Sequence, residues 1–197
     1  MLTQQQAQKF ALDNQTNVDN ILKEHYQISV LDELYKSNFS NNLIFKGGTA
    51  LKLAYNSIRF SEDLDFSIIS KINFSDFKKT IQIIKNKFNE SKIQDIYDKY
   101  NTLYAKLTFD INFKPIPIGI KIEINKNIKN DSFKSSINLL KSQFNNLEIL
   151  APTFTLESIL KDNIEILENN SRRQPRDLFD AWYISQKLNK DFNLKDS

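Results

Sequence analysis

The spacing of apolar residues makes the start of the chain helical. Asn17 stands as an N-cap before Val18, Ile21, Leu22, His25 and Tyr26, which recur near a 3.6-residue period, and Val30, Leu31, Leu34 and Tyr35 continue the stripe. Leu43 to Phe45 lead into Gly47 and Gly48; Ala50, Leu51, Leu53, Ala54 and Tyr55 then predict a short helix with Thr49 as its cap. From Arg59 to Ile69 the period drops to two. Phe60, Leu64, Phe66 and Ile68 fall on one strand face, while Asp63 and Asp65 share the other. A second helix from Asn73 to Asn86 is marked by Phe77, Ile81 and Ile84, with Phe88 just beyond, and Lys78, Lys79, Lys85 and Lys87 supply its solvated face.

The segment "LYAKLTFDINF" alternates strictly, "KPIPIG" turns, and "IKIEI" returns with Ile120, Ile122 and Ile124 opposite Lys121, Glu123 and Asn125; this predicts a hairpin. After Asn130 the spacing of Phe133, Ile137 and Leu140 predicts a short helix. A longer one runs from Thr155 or Leu156 to Glu168 on Ile159, Leu160, Ile164 and Leu167. Pro175 opens a last helix containing Leu178, Phe179, Trp182 and Tyr183. The mixture argues for an α/β (α+β) fold: a core over residues 1–125 with N-terminal helices, and a mainly helical lobe over 126–197 that completes the active site.

Composition narrows the chemistry. Fifteen Phe and seven Tyr in 197 residues suffice for a substantial core. A formal charge of +3 permits a nucleic-acid partner without demonstrating one. The absence of Cys excludes disulfides, thiolate catalysis and cysteine zinc sites, and His25, the only histidine, excludes a multi-histidine metal centre within one chain. His25 itself reads as part of the helical packing. No run is apolar enough to span a membrane and the start lacks a signal-peptide layout, so the cytoplasm is the expected location.

Asp63 and Asp65 point to one side of their strand, and Glu123 has the matching phase if the two strands are neighbours. Such carboxylates are hard oxygen ligands for Mg2+, with Mn2+ as the alternative ion. The Gly47-Gly48 turn and the following helix N-terminus offer backbone N–H groups to a phosphate, and a cation reconciles that phosphate with the nearby carboxylates. The pattern favours nucleotidyl transfer from an NTP; spacing alone leaves hydrolysis open. Glu62 falls on the Leu64 side and reads as a rim residue. Further on, Lys161 is a candidate phosphate ligand, Arg172 and Arg176 can meet phosphates or buttress carboxylates, and Asp177 and Asp180 lie one helical turn apart. The alternative for this group is a salt-bridge network joining the two halves.

Taken together, "FKGGTALKLAY", "RFSEDLDF", "IKIEI", Lys161 and "RRQPRDLFD" resemble the nucleotidyltransferase toxins of the AbiEii/AbiGii family, including the mycobacterial MenT-type toxins. The resemblance implies a polymerase-beta-like nucleotidyltransferase core with a mixed sheet and a helical C-terminal half. It implies that Asp63, Asp65, Lys161 and Asp177 are catalytic, that Asp63 and Asp65 with Glu123 hold the metal, and that Asp180 supports them. Lys46, Gly47, Gly48, Thr49, Arg59, Ser61, Arg172 and Arg176 are the implied substrate-binding residues. The family further implies a separately encoded protein antitoxin, a role in toxin–antitoxin or phage-defence pairs, and a tRNA 3′ end as acceptor. Lys46, Lys52, Arg172 and Arg173 are candidates to guide the tRNA phosphates. Protein nucleotidylation, and an inactive nucleic-acid- or antitoxin-binding module, are the alternatives.

Overall fold

Strict alternation over Thr102–Phe109 and Ile118–Asn125 buries every second side chain, so these strands, β4 and β5, have one apolar and one polar face. The structure is a computed structural model describing residues 2–127, 133–168 and 174–190. Its other elements are α1 (Gln4–Asp13), α2 (Val18–Leu34), β1 (Leu43–Lys46), α3 (Gly47–Tyr55), β2 (Asp63–Ile68), α4 (Phe74–Lys87), β3 (Ser91–Lys99), β6 (Ser135–Ser142), β7 (Asn145–Phe154), α5 (Leu156–Glu168) and α6 (Pro175–Lys187).

The strands form a single seven-stranded sheet in the order β3-β4-β5-β2-β1-β7-β6. Pairs β2–β5 and β1–β7 are parallel and the others antiparallel, which makes the sheet mixed, as expected of the α/β class. Helices α2 and α4 cover the apolar face, where Tyr26, Leu31, Phe77 and Ile81 share one buried core with Phe45, Leu64, Phe66, Leu107 and Ile122. On the other face Leu51, Phe154, Ile159 and Ile184 form a smaller core that gathers α3, β7, α5 and α6. That second core packs these helices against β1 and β7, beside β2. Asn17 caps α2 as its sequence predicts, its Oδ1 accepting from the Asn20 N–H at 2.8 Å. Among the described residues no helix is long and apolar enough to cross a membrane.

Two expectations change. Residues 135–142 are a strand and not a helix. Phe133, Ile137 and Leu140 satisfy a helical spacing, but Leu140 and Ser142 turn inward at a period of two while Ile137 is exposed, and β6 takes its backbone hydrogen bonds from β7. In consequence the sheet runs on to Phe154, and the helical lobe begins at Leu156 instead of residue 126.

Candidate active site

Asp65 sits at the middle of the polar face. Its β1 neighbour in register is Lys46 and its β5 neighbour is Glu123, while Asp63 lies opposite Lys121 on β5. The adjacency of β2 and β5, on which the Glu123 expectation depended, is therefore present.

The glycine pair is fitted against this acidic row. Gly47 has φ of +78°, a conformation that disfavours a side chain, and a Cβ there would fall 2.7 Å from Oδ2 of Asp65. A Cβ on Gly48 would fall 2.7 Å from the Ser61 hydroxyl and collide with the Arg59 guanidinium. Both absences of a side chain let β1 and α3 approach β2 and the loop before it. Thr49 is not the cap: α3 begins at Gly47 with Lys46 at the cap position. The Thr49 hydroxyl is buried and donates to the Asp63 carbonyl at 2.6 Å, so it anchors the strand instead of facing a ligand.

A cleft of about 370 Å³ opens above these residues, lined from the sheet by Lys46, Asp63, Asp65, Lys121 and Glu123 and from the helices by Asp162, Asn163, Arg176, Asp177 and Asp180. Gly47, Gly48, Arg59 and Ser61 complete its wall. Arg59 holds Asp180 through two hydrogen bonds, Nε to Oδ1 at 2.8 Å and Nη2 to Oδ2 at 2.5 Å. Lys46 pairs with Asp162 at 2.7 Å. Lys121 lies 3.4 Å from Oδ1 of Asp63, whose negative charge raises the lysine's pKa. The Asp63 oxygen nevertheless accepts no well-formed hydrogen bond, and neither Oδ2 of Asp177 nor Nδ2 of Asn163 finds a partner among the described residues. Buried polar atoms left open in this way are suited to a ligand that supplies the missing partner.

The cleft thus brings together Asp63, Asp65, Glu123, Lys46, Gly47, Gly48, Arg59, Ser61, Arg176, Asp177 and Asp180. Thr49 and Lys161 do not line it. The Lys161 ammonium lies 4.8 Å from the Phe133 ring centroid, and the residue lines a separate surface groove with Leu160, Ile164 and Glu165. The reason is the phase of α5: Ile159, Asn163 and Leu167 face inward, where the sequence stripe had placed Ile159, Leu160, Ile164 and Leu167. Asn163 is the residue this rotation brings into the cleft, and an amide on an otherwise apolar i, i+4, i+8 stripe was the available signal. Lys121 was visible only as a polar-phase residue. Arg172 and Arg173 lie outside the described residues. Glu62 is on the rim, 3.2 Å from Lys23, and the His25 ring bonds the Phe144 carbonyl at 2.8 Å, within the packing.

A mixed sheet carrying paired aspartates beside a glycine turn, closed by C-terminal helices, defines the class as nucleotidyltransferase-like. The family described as "Nucleotidyl transferase AbiEii toxin, Type IV TA system" matches residues 29–196, and the chain belongs to it. Among solved structures, the fold is similar to JHP933 from Helicobacter pylori, with a TM-score of 0.58 at 22% identity over 82% of this chain and 65% of that one. It is also similar to MenT4, a nucleotidyltransferase toxin from Mycobacterium tuberculosis H37Rv, with a TM-score of 0.56 at 15% identity over 98% of this chain and 75% of that one. The chain therefore spans about two thirds of the length of JHP933. No curated protein matches it.

Proposed function

We propose that the protein is a nucleotidyltransferase toxin that moves a nucleoside monophosphate from an NTP to an acceptor hydroxyl at the 3′ end of tRNA, thereby blocking translation. The observation that carries this reading is the convergence of Asp63, Asp65 and Glu123 with the Gly47-Gly48 turn in one cleft. In the transfer, the acceptor oxygen bonds to the α-phosphorus as the bond to pyrophosphate breaks.

The donor set suits Mg2+ or Mn2+: three carboxylates, one with a buried oxygen lacking a hydrogen bond. Among the described residues no three such groups are already drawn into a cage, so Asp63, Asp65 and Glu123 would converge on binding. An ion held by Asp63, Asp65 and Glu123 would lower the pKa of the acceptor hydroxyl and offset charge on the leaving pyrophosphate. The chain's own groups do the rest. The first N–H groups of α3 receive phosphate oxygens, with Gly47 and Gly48 keeping the approach clear. Asn163 and Arg176 face the same space from the helical side, and Asp180 fixes Arg59 beside Gly48.

A separately encoded antitoxin is the partner implied by family membership, and the cytoplasm is the corresponding location. The test incubates the purified protein with Mg2+, single radiolabelled NTPs, and total tRNA or total protein. Label in the tRNA pool is the expected result; label in protein alone would move the assignment to protein nucleotidylation.

One observation favours a second reading, a catalytically inactive antitoxin- or nucleic-acid-binding module. Lys161 lies outside the cleft, and Lys46, Arg59 and Lys121 each face an internal carboxylate. Absence of both label and NTP binding by a folded sample would select it.

A further inference from the structure

On the side of the sheet away from the glycine turn, the cross-strand row that contains Asp65 and Glu123 continues into two aromatic rings. Tyr104 on β4 is the register neighbour of Glu123, and Tyr97 on β3 is the neighbour of Tyr104. The rings are stacked, with centroids 4.5 Å apart and planes 8° from parallel. Both are half-buried, and Lys99 extends its ammonium over Tyr97 at 4.5 Å from the ring centroid. Lys106 and Lys121 occupy the adjoining row on the same face. The helices above the cleft pack mainly on β1, β2, β6 and β7, while α2 and α4 cover the opposite face of β4 and β5.

We infer that Tyr104 and Tyr97 form a stacking platform for the terminal bases of a single-stranded nucleic-acid acceptor. The inference rests on the nucleotidyl-transfer reading for its direction. In an in-line displacement the leaving group and the attacking oxygen lie on opposite sides of the phosphorus. The glycine turn that receives the donor phosphates lies toward β1 from Asp65, so the acceptor enters from the β5–β4 side. Neighbouring strands are spaced by about 4.8 Å, which puts Tyr104 roughly 10 Å from the Asp65 position, within the reach of one nucleotide whose 3′ oxygen lies at the carboxylates. Exposed aromatic faces bind bases of any sequence, and lysines alongside meet the connecting phosphates. Lys99 and Lys106 supply that charge beside a cleft that is itself rich in carboxylates, where Lys121 already faces Asp63.

The probe is a single-stranded RNA hexamer with 2-aminopurine at its 3′ end, whose fluorescence falls when the base stacks. The wild-type protein should bind and quench it. Tyr104→Leu and Tyr97→Leu should each weaken binding by roughly tenfold and abolish most of the quenching, on the usual scale for one lost base–aromatic stack. Tyr104→Phe should retain both. Circular dichroism checks folding, and binding of a non-hydrolysable NTP should stay unchanged in all three variants. No binding by the wild type, or unchanged binding and quenching in both leucine variants, overturns the platform. Loss of NTP binding with intact RNA binding also overturns it and gives the rings to the donor base. Tyrosine-dependent quenching in a protein that labels no acceptor leaves the platform standing and removes the transfer reading alone.

Discussion

The Arg59 guanidinium and the Asp180 carboxylate meet through two hydrogen bonds across 121 residues of sequence, joining the loop before β2 to the middle of α6. Asp180 is nearly sealed from solvent, with 7% of its side chain exposed, so removing Arg59 would leave its charge without compensation. Arg59→Ala is expected to lower stability in urea denaturation by about 3 kcal/mol. Arg59→Lys should recover little, because an ammonium cannot reproduce the two-pronged geometry.

The glycine turn predicts a different kind of defect. Gly48→Ala pushes a methyl group into Arg59 and Ser61, and Gly47→Ala adds a side chain at positive φ against Asp65. Each should cost about 1–3 kcal/mol, measurable by chemical denaturation. In the transfer assay both should raise the KM for NTP, since the first turn of α3 is displaced. Wild-type stability and KM in Gly48→Ala would show that the approach has slack.

Asp63→Asn and Asp65→Asn preserve side-chain volume and the buried Leu64–Phe66 face. Transfer should fall by more than about a hundredfold, a scale typical for loss of one electrostatic stabiliser of the transition state. Mn2+ binding followed by electron paramagnetic resonance should weaken in both. Unaltered Mn2+ binding would remove them from the metal site whatever happens to the rate.

These residues also show what the sequence discloses. Asp63, Asp65 and Glu123 were legible because alternation in a strand fixes side-chain direction to within a face, and the only missing fact was that β2 and β5 are neighbours. Pro175 announced α6 for a similarly local reason, its fixed φ suiting a first helical turn. Local pattern was insufficient for β6, whose spacing suits either period until β7 takes up its hydrogen bonds. Nor could it fix the rotation of α5. A helical stripe drawn through Leu160 and Ile164 differs by a single residue step from one through Asn163, and packing of Ile159 with Leu51, Phe154 and Ile184 decides between them. That step removes Lys161 from the cleft. Lys161→Ala is therefore expected to leave NTP affinity within about twofold of wild type, the range of a surface substitution, in a calorimetric titration.

His25 gives the fold a pH dependence. Burial lowers its pKa below the ordinary 6.5, against the opposing effect of its bond to the Phe144 carbonyl. The unfolded chain takes up a proton as pH falls through about 6.5 while the folded chain resists, so this residue's contribution to stability declines toward acid and levels off below its folded pKa. Glu24 works in the opposite direction. Its buried carboxyl has a raised pKa, so its cost to the fold diminishes as pH falls and it becomes protonated. Melting curves between neutral pH and the acid limb should show His25→Asn losing less stability than wild type. An identical slope in the variant would mean that His25 titrates alike in both states.

Lys121 and Asp63 give the final prediction because metal and lysine compete for one carboxylate. The ammonium lies 3.4 Å from an Asp63 oxygen that accepts no well-formed hydrogen bond, so a divalent cation arriving there must displace a charge of its own sign. Lys121→Met keeps the aliphatic stem and removes that charge. In the nucleotide-free protein Mn2+ should bind about two- to fivefold more tightly, the size of a partly exposed ion pair. With an NTP present the sign should reverse for the nucleotide: a lysine released from Asp63 is free to meet phosphate, and the methionine variant should bind the NTP–metal complex more weakly. Weaker Mn2+ binding to the nucleotide-free variant would show that Lys121 orders Asp63 for the ion instead of competing with it.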